Sequence, residues 1–202
     1  MLNSFNLFLL LDESTGLEAV LEEYKKNFAT QYPAMMRQKL GLIGEQAKDI
    51  EMLQLLESLL QLTETDMTIF FRKLADFDAS KPEKGLDLLQ QSFYKPEELI
   101  GDILDSWQAW LQAYAKRLNN QDWSAADRKT AMNKVNPKYV LRNYMTQLAI
   151  DAAEKDDYSV VNELYDVLKN PYAEQVEAEK WFAKRPEWAR NKVGCSMLSC
   201  SS

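Results

Sequence analysis

The residues best suited to chemistry stand at the end of the chain, in Gly194-Cys195-Ser196-Met197-Leu198-Ser199-Cys200-Ser201-Ser202. A thiol near a terminus and flanked by serines is expected to be exposed and mobile, so it can reach partners that a core cysteine cannot. Cys200 is the first candidate redox residue and Cys195, five positions earlier, the second. Their spacing permits a loop disulfide but is not the Cys-x-x-Cys of thioredoxin-like sites. Neither Lys nor Arg adjoins Cys200 to lower its pKa. Elsewhere the chemistry thins out. The chain has no histidine, which removes His general bases, His metal ligands and Ser-His or Cys-His catalysis. Gly41-Leu42-Ile43-Gly44 reads as a turn, because a phosphate loop needs a further glycine and a Gly-Lys-Ser/Thr ending. Asp76-Phe77-Asp78 falls at an expected helix end, where the carboxylates read as solvated surface rather than metal ligands. No catalytic, cofactor-binding or metal-ligating residue is assigned.

Composition narrows the class. At 202 residues the chain is long enough for one good core. A hydrophobic content of 46% argues against disorder. Six Gly and six Pro, among many Leu, Glu, Lys, Gln and Ala, favour helices over a Gly/Pro-punctuated β fold. The net charge of −7 argues against a nucleic-acid partner, which needs basic residues for phosphates. Phe5 to Leu11 is apolar but too short to span a bilayer, and it lacks the basic flank and cleavage site of a signal peptide. Two cysteines confined to the tail suggest a reducing compartment rather than a secreted disulfide scaffold.

The elements that would position the tail are helices. Leu17, Val20, Leu21, Tyr24 and Phe28 share one helical face. Pro33 is expected to restart the chain, with a short helix from Ala34 to Leu40 ended by Gly41. Asp49 to Leu62 is leucine-rich almost all round, as in a helix buried on most sides. Thr65 or Asp66 is expected to cap the next helix, with Ile69, Phe70 and Leu74 on it. Residues 79–85, with Ser80, Pro82 and Gly85, form the most loop-like stretch and mark a seam. Lys95-Pro96-Glu97-Glu98 is expected to start a long helix whose Leu99, Ile103, Trp107, Trp110 and Tyr114 share a face. The tryptophans read as core. Ser124 heads a capping-box variant. Asn136 and Pro137 read as N-cap and first turn of a helix with Leu141, Tyr144, Leu148 and Ala152 on its apolar face. Asp157 or Ser159 opens a further helix through Leu168, and Tyr172 to Ala183 reads as a last one.

The wording of several stretches resembles the selenoprotein O family. Met36-Arg37-Gln38-Lys39-Leu40-Gly41, Asp66-Met67-Thr68-Ile69-Phe70-Phe71-Arg72, Asn136 to Tyr144, Asp151-Ala152-Ala153-Glu154-Lys155, Pro186-Glu187-Trp188-Ala189 and Ser199-Cys200-Ser201-Ser202 carry the likeness. The resemblance covers nearly the whole chain but only the C-terminal part of the family. Its members are kinase-like protein adenylyltransferases that move AMP from ATP to hydroxyl side chains. That chemistry needs a glycine-rich phosphate loop, a Lys–Glu pair and Asn and Asp ligands for Mg²⁺, and none can be placed here; even Asp76-Phe77-Asp78 lacks the glycine of the kinase motif. The resemblance implies ATP and Mg²⁺ for the full-length family and no cofactor in this chain. It also implies a redox role for Cys200, with Cys195 as the partner available in cis.

The expected architecture is all-α: an irregular, mainly antiparallel multi-helix bundle over 1–191 with a flexible cysteine-containing tail over 192–202. The expected function is that of a non-catalytic helical region supporting a kinase-like lobe, in the bacterial cytoplasm. The alternative is a stand-alone helical interaction module or adaptor. The partner is then the missing lobe or another protein, met through the apolar N-terminal surface, or a second copy; no nucleic acid and no membrane is expected. The first reading requires exposed apolar surface near Phe5, Phe8 and Leu9, or on the helix from Leu17, whereas the second predicts a closed monomer or a symmetric dimer.

Overall fold

The computed structural model describes residues 15–192 and Cys195. Its eight α-helices among these residues are α1 (Thr15–Lys39), α2 (Asp49–Leu62), α3 (Met67–Leu74), α4 (Gly85–Leu89), α5 (Gly101–Asn119), α6 (Ala125–Val135), α7 (Asn143–Ala153) and α8 (Ser159–Leu168). Short 3₁₀ turns fill several connections, and the fold is all-α. No described helix is long and apolar enough to cross a membrane.

Two expected caps form. Asp66 Oδ1 accepts the Ile69 N–H at 3.0 Å to start α3, and Ser124 Oγ accepts that of Asp127 at 3.1 Å to start α6, each satisfying an orphan donor of the first turn. Gly41 ends α1 at φ +64°, where a Cβ would lie 2.6 Å from Arg128 Cγ. Only glycine allows that backbone to press on α6.

Four expectations are corrected. Pro33 lies inside α1 instead of restarting the chain. Proline removes the hydrogen bond to the carbonyl four residues back, here that of Ala29, which is exposed and can turn to water instead. Pro96–Glu98 makes a single 3₁₀ turn; Ile100 is extended, and Gly101 at φ +55° turns the chain into α5. The Asn136–Pro137 stretch opens no helix. Lys138 and Tyr139 donate their N–H groups to the Pro171 carbonyl at 2.8 and 3.1 Å, so this stretch runs irregularly until α7 begins at Asn143. The buried positions of α7 are Tyr144, Met145 and Ala149, while Leu141 is 51% exposed. Tyr172 to Ala183 yields only the 3₁₀ turn Val176–Trp181.

The apolar interior falls into two clusters. The first joins α1 to α6 around Phe70, Trp107, Trp110 and Tyr114, all 0% exposed. Trp107 meets Trp110 edge to face at 6.1 Å, and Trp110 stacks on Tyr114 at 5.1 Å, geometries that suit the ring quadrupoles. Trp110 Nε1 donates to the Met52 carbonyl at 3.0 Å. Asp49, at the start of α2, meets Arg117, near the end of α5, at 2.7 Å, so these helices run antiparallel. The stretch at 79–85 lies within this cluster: a Cβ on Gly85 would stand 2.8 Å from Leu111 and 2.9 Å from Phe77. The second cluster contains Tyr139, Tyr144, Met145, Leu164, Val167 and Trp181. The chain crosses between the clusters at 133–138.

Candidate functional site

The two sequence-derived site residues are separated by what the structure describes. Cys200 lies outside the described residues. Cys195 is a free thiol, 5% exposed, packed in the second cluster. Its N–H donates to the Lys192 carbonyl at 3.0 Å, and its carbonyl accepts from Asn143 Nδ2 at 3.4 Å. This buried position differs from the mobile tail expected from residue 192 onward, because Tyr139, Tyr144 and Ala189 provide an apolar floor for the chain end.

The charged groups concentrate where the clusters meet. Arg72 of α3 is buried and donates to the carbonyls of Asn133, Asn136 and Tyr172 at 3.1, 3.0 and 3.1 Å, and to Glu174 Oε1 at 2.6 Å. Lys138 bridges Glu174 and Glu179 at 2.6 and 2.5 Å. Hydrogen bonds from Lys138 and then Arg72 hold the Glu174 carboxyl down at about 2. Burial works against the charge of Lys138, but the bonds to Glu174 and Glu179 outweigh it and raise its pKa. Beside this group Arg142 forks onto Asp66, with Nη2 at 2.8 Å from Oδ1 and Nη1 on Oδ2. Planar two-point pairing of this kind is the stronger form of an ion pair. The Tyr94 hydroxyl accepts the Arg185 N–H at 3.0 Å, and Arg185 and Arg190 both reach Glu64. Sequence reading missed the part that Arg72 plays here. The available signal was an arginine embedded in the buried run Ile69-Phe70-Phe71-Arg72-Lys73-Leu74.

This arrangement joins parts of the fold through buried charge. Among the described residues no three His, Cys, Asp or Glu side chains gather as a metal site. Asp76 pairs with Lys129, and Asp78 accepts the Ser80 N–H and hydroxyl at 2.9 and 2.7 Å, bonds that lower its pKa. Phe77 between them is buried against Tyr114 at 5.2 Å. The cleft of about 450 Å³ beside them and another of about 450 Å³ along α2 and α5 have Asp76 and Asp49 already committed to Lys129 and Arg117.

The third feature is a surface. Every residue from 18 to 31 of α1 is exposed, a length of about 20 Å at 1.5 Å per residue. Val20, Leu21, Tyr24 and Phe28 are 51–64% exposed along it. The rings of Tyr24, Phe28 and Tyr32 follow one another at 6.1 and 5.1 Å, near-parallel. The last turn anchors the helix through buried Met36 and, just beyond it, Leu40.

The described residues form an all-α body joined by ion pairs, with an exposed helix that carries an apolar stripe. The chain matches the family described as protein adenylyltransferase SelO over residues 2–169 and belongs to that family. It is 53% identical over 197 residues to the protein nucleotidyltransferase YdiU of Flavobacterium johnsoniae, covering 97% of this chain and 38% of that protein. It is 42% identical over 205 residues to the YdiU protein of Rhodopirellula baltica, covering 96% and 38%, respectively. A third YdiU protein, from Tolumonas auensis, is 44% identical over 182 residues, covering 90% and 34%. The chain thus spans little more than a third of the length of these relatives.

Proposed function

We propose that the chain is the C-terminal helical region of a protein adenylyltransferase of this family, which supports a kinase-like lobe and carries a redox-type cysteine tail with Cys200 and Cys195. ATP and Mg²⁺ belong, in this reading, to the absent lobe, and the 202-residue chain transfers no AMP by itself. One observation carries the proposal: the exposed stripe Val20, Leu21, Tyr24 and Phe28 on α1. A folded helical body gains nothing by holding four turns of apolar helix in water, since roughly 25 cal/mol is forgone per Å² of apolar surface left wet. A longer relative has the additional chain to cover it, which favours this reading over a closed, self-sufficient adaptor.

The test has two arms. The purified chain is incubated with ATP, Mg²⁺ and a generic protein substrate, and AMP incorporation is followed by mass spectrometry. No labelling is expected; robust labelling in a preparation free of other enzymes overturns the proposal. In parallel, the chain is mixed with the remainder of the Flavobacterium johnsoniae relative and examined by size-exclusion chromatography with light scattering. Association that is lost in Tyr24→Ala/Phe28→Ala is expected. A symmetric dimer of the chain alone, dissolved by the same substitutions, would instead favour the adaptor.

A further inference from the structure

Lys39, at the end of α1, is a half-buried ammonium with no carboxylate beside it. Its Nζ lies 4.5 Å from the centre of the Phe71 ring. Among the described residues it makes no ion pair, unlike Lys129, Lys138 and Lys180, each of which has an acidic partner. Asn136, itself 1% exposed, donates from Nδ2 to the Lys39 carbonyl at 2.8 Å and fixes that backbone. The Asn136 Oδ1 has no donor of its own. Lys39 opens onto a cleft of about 140 Å³ lined with Met67, Thr68, Phe71, Asn136 and Pro137. That is well above the roughly 15 Å³ that one water requires, and the lining is mostly apolar.

An amine in this setting differs from surface lysines in two ways. Burial alone lowers its pKa, with no neighbouring charge contributing in either direction. More of it is therefore the free amine near neutral pH, the only form with a lone pair to donate. The cleft also gives a small acyl group an apolar place beside the nitrogen. The exposed lysines Lys26, Lys134 and Lys155 line none of the clefts described above.

We infer that Lys39 is a preferred site of chemical acylation by small acyl phosphates. The amine lone pair attacks the carbonyl carbon, a C–N bond forms, and the C–O bond to phosphate breaks. Inorganic phosphate leaves with the electron pair, and the surplus amine proton passes to solvent. The product is a neutral amide over the Phe71 ring, so the modification removes one positive charge at the junction of α1 and α3. This inference is independent of whether the chain supports a catalytic lobe.

Acetyl phosphate is the probe. The full chain is treated at several pH values, digested, and the initial acetylation rate of each lysine is read by mass spectrometry. Lys39 is expected to react at least about threefold faster than Lys26, Lys134 and Lys155 near neutral pH. In 8 M urea the advantage should vanish. The Met67→Glu variant places a carboxylate on the rim of the cleft, at an exposed first-turn position that accepts acids. It should slow Lys39 to the common rate while its far-ultraviolet circular dichroism and urea midpoint stay those of the original chain, which reports that it is folded. A Lys39 rate no higher than the surface lysines, or an advantage that persists in urea, overturns the inference.

Discussion

The two apolar clusters are built on different principles. The first gathers 21 buried residues, with rings of Phe70, Phe93, Trp107, Trp110 and Tyr114 in mutual contact. The second has 10, and three of these are alanines. A core half the size must be held by something else, and the something else is charge: Arg72 and Arg142 reach across to Glu174 and Asp66, and Lys138 at the crossing holds Glu174 and Glu179. Apolar burial is insensitive to pH and weakly sensitive to salt, whereas ion pairs depend on both. The first region should therefore behave as a conventional core, and the second as an appendage whose attachment can be loosened without melting its host.

The largest effect should come from the first core. Trp110→Ala removes a fully buried ring and its bond to Met52, and is expected to cost about 3–5 kcal/mol in urea unfolding. It should lower protection in both regions, since the second, with its smaller core, is fastened to the first. Arg72→Met tests the join itself. Removing one side of a buried charged network costs about 3–5 kcal/mol when the partner stays buried, but Glu174 is 63% exposed and can rehydrate, so about 2–3 kcal/mol is expected. Hydrogen exchange should accelerate across residues 139–190 and stay slow in α2 and α5. Equal acceleration in both would show one cooperative unit. Asp66→Asn keeps the α3 cap, because Asn also accepts at that position, but weakens the fork to Arg142; a loss of about 1–2 kcal/mol with the same regional pattern is expected.

Acid gives a graded version of the same experiment. The Glu174 carboxyl titrates at about 2 in the folded chain against 4.5 ordinarily. A depressed pKa contributes stability above the unfolded value and loses it as pH falls through the folded one. The attachment of the second region should thus weaken between about pH 4.5 and 2, while the ring contacts of the first persist, as intrinsic Trp fluorescence and regional exchange would show. The smallest effect is predicted on α1. Phe28→Ser should change stability by less than about 0.5 kcal/mol, because its ring is already in water. A larger loss would mean that the helix is covered in solution.

These contrasts follow how much could be read from the chain. The first cluster was legible: Trp107, Trp110 and Tyr114 recur at helical spacing and are all buried, and the Asp66 and Ser124 caps depend on neighbours three residues away. The second was not. Asn136-Pro137 has every local sign of a helix start, yet Asn136 donates to Lys39, 97 positions earlier, and Arg142 is drawn to Asp66, 76 positions earlier. The face of the following helix rotated with them, so Leu141 and Leu148 lie outward while Met145 lies inward. Cys195 was legible as a thiol but not as a buried one.

By itself the sequence determined the all-α class, the apolar stripe on α1, the absence of histidine chemistry and membership of a family that includes longer relatives. Those properties rest on composition, on periods of three and four residues and on matching words, all contained in short windows. Tertiary structure alone decided that the interior divides at 133–138, that Arg72 and Arg142 fasten the halves, that Cys195 is enclosed and that Lys39 has no counter-ion among the described residues. Each of these depends on what lies opposite a side chain, and the group opposite is chosen by packing between segments tens of residues apart, where local spacing carries no information.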